Sequence, residues 1–189
     1  MNEQVFWTLV KEVNKEKISP RLRINQLIAN LAKLELKYIF KFDKVLFWLL
    51  NKANFADLWA AHAVLTNEYG EISFLHFRYW LIFQGQRIFK KTLDDPEFLE
   101  IFIADFKNQD IQLSDYAGFE YIAQKAYQEK TGVYDYQEKL PYQLVLKNIQ
   151  GQKPNAENEI ADLLPLLCKK MGWNSDFLDG HWISDDVKK

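Results

Sequence analysis

Hydrophobic residues recur through most of the chain at intervals of three and four, which is the spacing of one face of an α-helix. The first such face predicts a helix over about 3–16. Ser19-Pro20 marks the start of a second helix, because serine caps a helix and proline fits its first position. Two further helices are predicted over about 35–52 and 55–68. This is the pattern of an all-α protein, and no pair of strands joined by a two-residue turn interrupts it.

The segment from Phe74 to Leu93 is apolar on most sides, which predicts the central and most deeply buried helix. Gly85 lies inside this segment, where glycine costs about 1 kcal/mol relative to alanine. We therefore expect Gly85 to mark a close crossing with another helix. A close approach by a ligand is the alternative.

The second half of the chain is punctuated more often. The Asp-Asp-Pro sequence at 94–96 ends the central helix and begins another. Ser114 is expected to cap the next helix, which Gly132 ends. The pattern weakens over 133–155, which predicts an irregular crossing with one helical turn near 141–149.

A last helix is predicted over 157–171, with Pro165 bending or splitting it. The whole pattern predicts one domain over 1–172, built as an irregular bundle of about seven or eight helices. Residues 173–189 are expected to form a tail that packs on this domain or is partly disordered.

The composition narrows the class of protein. Hydrophobic residues make up 48% of the 189 residues and aromatic residues 15%, enough to bury a substantial core. Cys168 is the only cysteine, so an internal disulfide and a cysteine-rich zinc site are excluded. The longest apolar run, Val45 to Leu50, is much shorter than the roughly 20 residues that cross a bilayer. With no signal-peptide pattern at the start, these features predict a cytoplasmic protein without a membrane segment.

Charge is unevenly distributed, although the formal net charge is only −2. Residues 1–53 hold ten basic and five acidic groups, whereas residues 54–189 hold 14 and 21. A basic stripe at helical spacing is predicted to be a solvated face, with an anionic partner as the alternative. No arginine-rich run accompanies it, so no nucleic-acid partner is predicted. The members of the stripe are Lys33, Lys37, Lys41 and Lys44.

The common catalytic and cofactor spacings are missing from the sequence. The seven glycines are scattered and form no phosphate-binding loop. No His-Glu-x-x-His zinc pair, Glu-x-x-His di-iron pair or nucleophile-elbow serine occurs. The sequence therefore predicts no catalytic residue, no metal ligand and no cofactor.

Two charged side chains fall on predicted apolar faces. Arg78 lies one turn from Phe74 and from Ile82, and Asp43 has apolar neighbours at the same spacings. Because burying a lone charge costs several kcal/mol, Asp43 and Arg78 are predicted to form a structural ion pair. The alternatives are an anion or carboxylate site at Arg78, or an Arg78 that faces solvent.

A second set of polar residues follows the same helix. His76, Trp80, Gln84 and Arg87 lie on one stripe at spacings of four, four and three. This stripe indicates the half-exposed flank of a buried helix; the alternative, carried into the binding hypothesis below, is one wall of a groove with Trp80 as a stacking platform. His62 lies on an apolar face, where a hydrogen-bonded core histidine is expected rather than a base or a ligand.

Two segments, FADLWAA at 55–61 and FRYWLIFQGQR at 77–87, resemble those of a mostly bacterial family catalogued as a domain of unknown function. The resemblance is densest over 55–96. It implies a small intracellular module without an established activity, whose relatives are sometimes fused to a WGR-type domain. The family pattern carries Trp59, Arg78, Trp80, Gln84 and Gly85.

The first functional hypothesis is a helical binding module. It would engage a protein partner or a small anion through a groove that flanks the helix predicted over 74–93. The heavy aromatic content and the missing catalytic spacings favour it. The binding residues assigned to it are Trp59, Arg78, Trp80, Gln84 and Arg87.

Two further hypotheses come from other functional classes. One is a small cofactor-free enzyme that uses Asp43, Asp57 or His62 near Arg78. The other is an architectural or immunity-type protein recognised through an acidic patch, for which the second part of the chain holds the surplus acid.

Overall fold

The computed structural model describes residues 2–14, 18–154 and 157–173, which fold into helices joined mostly by short connections. Within these ranges, the β-structure amounts to one isolated bridge between Phe55 and Gln150. The predicted all-α class is confirmed. The elements are α1 (Glu3–Val13), α2 (Pro20–Ala32), α3 (Leu36–Lys52), α4 (Ala56–Thr66), α5 (Glu71–Phe83), α6 (Gln86–Asp94), a 3-10 segment (Pro96–Phe102), α7 (Ile103–Lys107), a second 3-10 segment (Leu113–Tyr121), α8 (Ile122–Thr131), α9 (Tyr136–Lys139), α10 (Glu157–Leu163) and α11 (Pro165–Met171).

Several helix ends lie where their capping residues predict them. The Ser19 side chain accepts a 3.4 Å hydrogen bond from the amide of Leu22, and Pro20 is the first residue of α2. Gly132 ends α8 with a φ of 72°, a left-handed conformation that glycine adopts without strain. Pro165 begins α11 immediately beyond the end of α10, so the predicted split is confirmed.

The single helix predicted over 74–93 is wrong, because the chain forms two helices there. Gly85, between α5 and α6, has φ 92° and ψ 166°, a region of backbone conformation that is essentially restricted to glycine. The chain therefore turns at Gly85 instead of continuing as a helix. The predicted close crossing is also wrong, since a Cβ at Gly85 would meet no heavy atom within 4 Å.

The chain beyond α6 differs from the prediction in its local form. Ser114 does not cap an α-helix, because a 3-10 segment begins at Leu113 and passes into α8 at Ile122. The irregular crossing is confirmed, but the helical turn expected near 141–149 lies earlier, in α9. The break between α5 and α6 and the short helices α7 and α9 raise the number of helices above seven or eight.

Helix α5 lies at the centre of the bundle, as its composition predicts. Every residue from Phe77 to Phe83 is buried, so the second half of α5 is covered around its whole circumference. It packs against α3, α4, α6 and the second 3-10 segment. The rings of Phe83 and Phe119 meet edge to face with their centroids 4.4 Å apart. The buried hydrophobic side chains of the described residues form one continuous core.

The exposure of the basic stripe agrees with its prediction as a solvated helix face. All four lysines of the basic stripe are exposed, and Nζ of Lys44 lies 5.3 Å from the ring centroid of Tyr142. None of the helices described is both long enough and apolar enough to cross a bilayer. The tail predicted over 173–189 falls outside the described residues, except for Trp173.

Candidate functional site

Arg78, in the second half of α5, is only 5% exposed. Its Nη1 donates a 3.1 Å hydrogen bond to the carbonyl of Leu50, near the C-terminal end of α3. The guanidinium carbon lies 4.8 Å from the ring centroid of Phe74, a cation–π contact. Nε is buried and has no hydrogen-bond partner among the residues that the structure describes. An Arg78 that faces solvent, one of the three sequence alternatives, is therefore excluded.

The ion pair predicted between Asp43 and Arg78 is wrong. Asp43 is buried in α3, but its Oδ2 accepts a 2.7 Å hydrogen bond from the hydroxyl of Tyr136 in α9. Within the described ranges, the ion pairs do not include either residue. The helical pattern of α3 shows that Asp43 needs a polar neighbour, but it does not reveal that α9 supplies a phenol.

Burial shifts the pKa values of Arg78 and Asp43 in the directions that favour their neutral forms. It lowers the pKa of Arg78 to about 10, against smaller upward influences from Tyr79 and Glu71. Burial also raises the pKa of Asp43 to about 6, and the hydrogen bond from Tyr136 opposes part of that rise. Arg78 is therefore still cationic at neutral pH, in a buried position where no carboxylate of the described residues is bonded to it.

A cavity of about 490 Å³ opens beside Arg78. One wall is a face of α5 that runs from Glu71 to Arg78, and a second wall contains Trp59 of α4. The third wall is formed by residues 146–149 and Lys153. These last residues belong to the irregular segment 141–153, which we call the strap.

The strap is held against the end of α3 largely by side-chain amides. Nδ2 of Asn51 donates to the Val145 carbonyl at 2.9 Å, and its Oδ1 accepts from the Lys147 amide at 2.7 Å. Nδ2 of Asn54 donates to the Lys147 carbonyl at 2.7 Å. The backbone joins at Gln150, whose amide donates to the Asn54 carbonyl. Two asparagines therefore fix the outer wall of the cavity.

Two of the predicted binding residues, Trp59 and Arg78, line the same cavity. Trp59 is 2% exposed, and Nζ of Lys153 lies 5.1 Å from its ring centroid. Lys153 and Lys147 also line the cavity and are not predicted from the sequence. The irregular pattern of the strap carries no periodicity that could place their side chains.

The stripe of Trp80, Gln84 and Arg87 does not form a groove wall. Trp80 is 1% exposed, and its ring lies edge-on to those of Phe102 and Phe106 at 5.0 and 5.2 Å. Gln84 is half-buried and donates to the Trp80 carbonyl at 3.1 Å. Arg87 is exposed on α6, beyond the break in the helix. The predicted stacking platform is wrong because the indole of Trp80 belongs to the core.

Comparison with protein families identifies the first two thirds of the chain. Residues 1–129 match the family described as "Protein of unknown function (DUF4240)". The chain belongs to this family. The match includes Trp59 and Arg78, whereas the strap lies beyond it. No curated protein and no solved structure matches the chain.

The DUF4240 part of the chain also holds a polar cluster where α4 meets α5. His62 is fully buried, and its Nε2 lies 2.9 Å from Oγ of Ser73, whose hydroxyl donates to the carboxylate of Glu68. Because the hydroxyl has one proton, Nε2 must be the donor to Ser73. Nδ1 is buried without a partner in the described structure. The predicted hydrogen-bonded core role of His62 is confirmed.

The hydrogen bonds of this cluster run in the direction opposite to those around a catalytic serine. A nucleophilic serine donates to an imidazole whose other nitrogen is held by a carboxylate. Ser73 lines a second cavity, of about 540 Å³, but its proton is directed to Glu68. Asp43, Asp57 and His62 do not line the cavity beside Arg78. In the part of the chain described, no three histidine, cysteine, aspartate or glutamate side chains lie close enough to hold a metal ion.

Proposed function

We propose that this protein binds a small anion in the cavity beside Arg78. The observation that carries the proposal is the buried guanidinium, which has one carbonyl acceptor and no carboxylate bonded to it in the described structure. An uncompensated buried charge costs several kcal/mol, and proteins retain such local violations mainly at functional sites. An anion in the cavity would supply the missing charge.

The charge of the cavity wall supports the same ligand class. Arg78, Lys147 and Lys153 line the cavity, and Glu71 is the one acidic residue of its lining among the residues that the structure describes.

A small anion is favoured over a protein partner because Trp80, the central residue of the groove predicted for that partner, is buried in the core and cannot contact it.

We further propose that the protein acts in the cytoplasm. The support is its one cysteine, Cys168, which is a buried free thiol and fits a reducing compartment.

Thermal unfolding at constant ionic strength tests the proposed function, with sodium acetate or sodium phosphate replacing part of the sodium chloride. A ligand that binds only the folded state raises Tm with its concentration. We expect this rise for the native protein and for Arg87→Met, which removes an exposed arginine, but not for Arg78→Met. Equal responses of the two variants, or no response of the native protein, would contradict the proposal.

A further inference from the structure

The cavity beside Arg78 is elongated along α5. Glu71 and Arg78 both line it and are seven residues apart on one face of the helix, which is about 10 Å at 1.5 Å per residue. Ile72, at the start of that face, is 73% exposed, whereas Arg78 is almost completely buried. The entrance therefore lies near the first turn of α5, and the guanidinium lies at the inner end.

The wall between these two ends is apolar. Phe74 and Leu75 line it from α5, and Leu146 and Ile149 line it from the strap. A small hydrated inorganic anion at Arg78 would leave these side chains without a partner. An alkyl or aryl group attached to the anion would cover them, and burying apolar surface is the main source of favourable free energy in such pockets.

Resting on the proposed function, we infer that the ligand is an amphipathic carboxylate with its head group at Arg78 and an apolar body that extends toward the entrance. A guanidinium matches a carboxylate through two parallel N–H···O bonds. The apolar body lies between Leu75 and the strap.

A series of straight-chain carboxylates tests this inference by calorimetric titration of the intact protein. The probes are acetate, butanoate, hexanoate and octanoate, with inorganic phosphate and octan-1-ol as comparisons. We expect affinity to increase about fourfold for each methylene that is buried. The increase ends when the chain exceeds the length of the cavity. Phosphate and octan-1-ol should each bind at least tenfold more weakly than octanoate.

Three variants separate the head group from the body. Arg78→Met should abolish binding of every carboxylate, and Arg78→Lys, which keeps the charge but not the planar fork, should weaken octanoate binding about tenfold. Leu75→Asn should keep acetate binding and flatten the dependence on chain length. Leu22→Asn, on the exposed surface of α2, is the matched control and should bind as the native protein does. If neither Arg78 variant folds by circular dichroism, the Leu75→Asn and Leu22→Asn pair still decides the role of the body.

The outcomes distinguish the two proposals. Equal affinities for acetate and octanoate, both lost in Arg78→Met, would overturn the amphipathic ligand and leave the anion site in place. Octan-1-ol binding as tightly as octanoate, or octanoate binding that survives Arg78→Met, would overturn both. Both proposals would also be overturned if none of the anions bound to the native protein.

Discussion

Tyr136 donates a 2.7 Å hydrogen bond to Oδ2 of Asp43, a residue 93 positions earlier in the chain. Both side chains are buried, so this bond fastens α9 to α3 inside the core. It also provides Asp43 with a neutral partner. Arg78 is consequently left without the carboxylate that the helical pattern assigns to it.

The first prediction concerns the pH dependence of stability. Because burial raises the pKa of Asp43 to about 6, the folded protein keeps a proton that the unfolded chain releases between about pH 4 and 6. The free energy of unfolding should therefore fall as the pH rises through this window, by up to about 3 kcal/mol. Asp43→Asn should remove that contribution, so its stability relative to the native protein should rise from pH 4 to pH 6. Urea unfolding at several pH values measures the difference, with Asp57→Asn, on an exposed residue, as the control; a difference that does not change with pH would contradict the prediction.

The second prediction concerns the stability role of Arg78. Arg78→Met removes one hydrogen bond to a carbonyl, which costs about 1–2 kcal/mol, but it also removes the cost of burying the charge. We therefore expect the free energy of unfolding to change by less than about 2 kcal/mol. Breaking a buried ion pair costs about 3–5 kcal/mol. Urea unfolding of Arg78→Met, Asp43→Asn and the double variant measures the coupling between the two sites. The effects of the two substitutions should add within about 0.5 kcal/mol. A coupling energy above about 1 kcal/mol would show that Asp43 and Arg78 do form an ion pair.

The third prediction concerns the turn between α5 and α6. Gly85→Ala should cost about 1–3 kcal/mol, because alanine does not tolerate the backbone conformation of Gly85 even though space is available. Gly70→Ala is the matched control, since Gly70 has an ordinary φ of −74° and equal space for a Cβ. Its stability should fall by less than that of Gly85→Ala, by about 0.5–1 kcal/mol, because Gly70 caps α5 and alanine is a poorer cap than glycine. Equal stabilities of the two variants in urea would show that the turn does not depend on glycine.

The fourth prediction concerns the attachment of the strap. Asn51→Ala removes the acceptor of the Lys147 amide and the donor to the Val145 carbonyl. We expect hydrogen exchange at the Lys147 amide to accelerate at least about tenfold, because a hydrogen bond of about 1.4 kcal/mol corresponds to that factor. The exposed Asn148 of the strap provides the control variant Asn148→Ala. Unchanged exchange in Asn51→Ala would mean that other contacts hold the strap.

The fifth prediction concerns the junction of α4 and α5. Ser73→Ala leaves Nε2 of the buried His62 without its acceptor, which should cost about 1–3 kcal/mol. The higher helix propensity of alanine offsets about 0.5 kcal/mol of this loss. Ser114→Ala removes an exposed serine from the same cavity and should stay within about 0.5 kcal/mol of the native protein. Similar stabilities of the two variants would show that the bond to His62 is not stabilising.

The sequence predicts those features that depend on local chemistry. Ser19-Pro20 and Gly132 set helix ends because capping is a property of a few neighbouring residues. The burial of Arg78 follows from the apolar residues one turn away on the same helix. Gly85 is misread because continuous apolar periodicity on both sides masks a positive φ, which only the backbone reveals.

Contacts between residues that are far apart in the sequence cannot be predicted in the same way. The partner of Asp43 comes from a four-residue helix with no periodic signal of its own. The cavity needs the strap, whose position is set by Asn51 in the last turn of α3 and by Asn54 just beyond that helix. Asparagines that bond to an irregular segment leave no periodic pattern in the sequence, so the position of the strap is not predicted. Lys147 and Lys153, the two basic residues that the strap brings to the cavity, are missed for this reason.

Because two asparagines attach the strap, the wall of the cavity that it forms can be replaced by substitution, whereas the wall formed by helices cannot. Arg78 is embedded among helices and cannot be moved without rebuilding the core. The outer wall can be exchanged as a loop, provided that its replacement offers backbone groups to Asn51 and Asn54. Grafting loops of different composition at this position would alter the shape and lining of the cavity while leaving Arg78 in place.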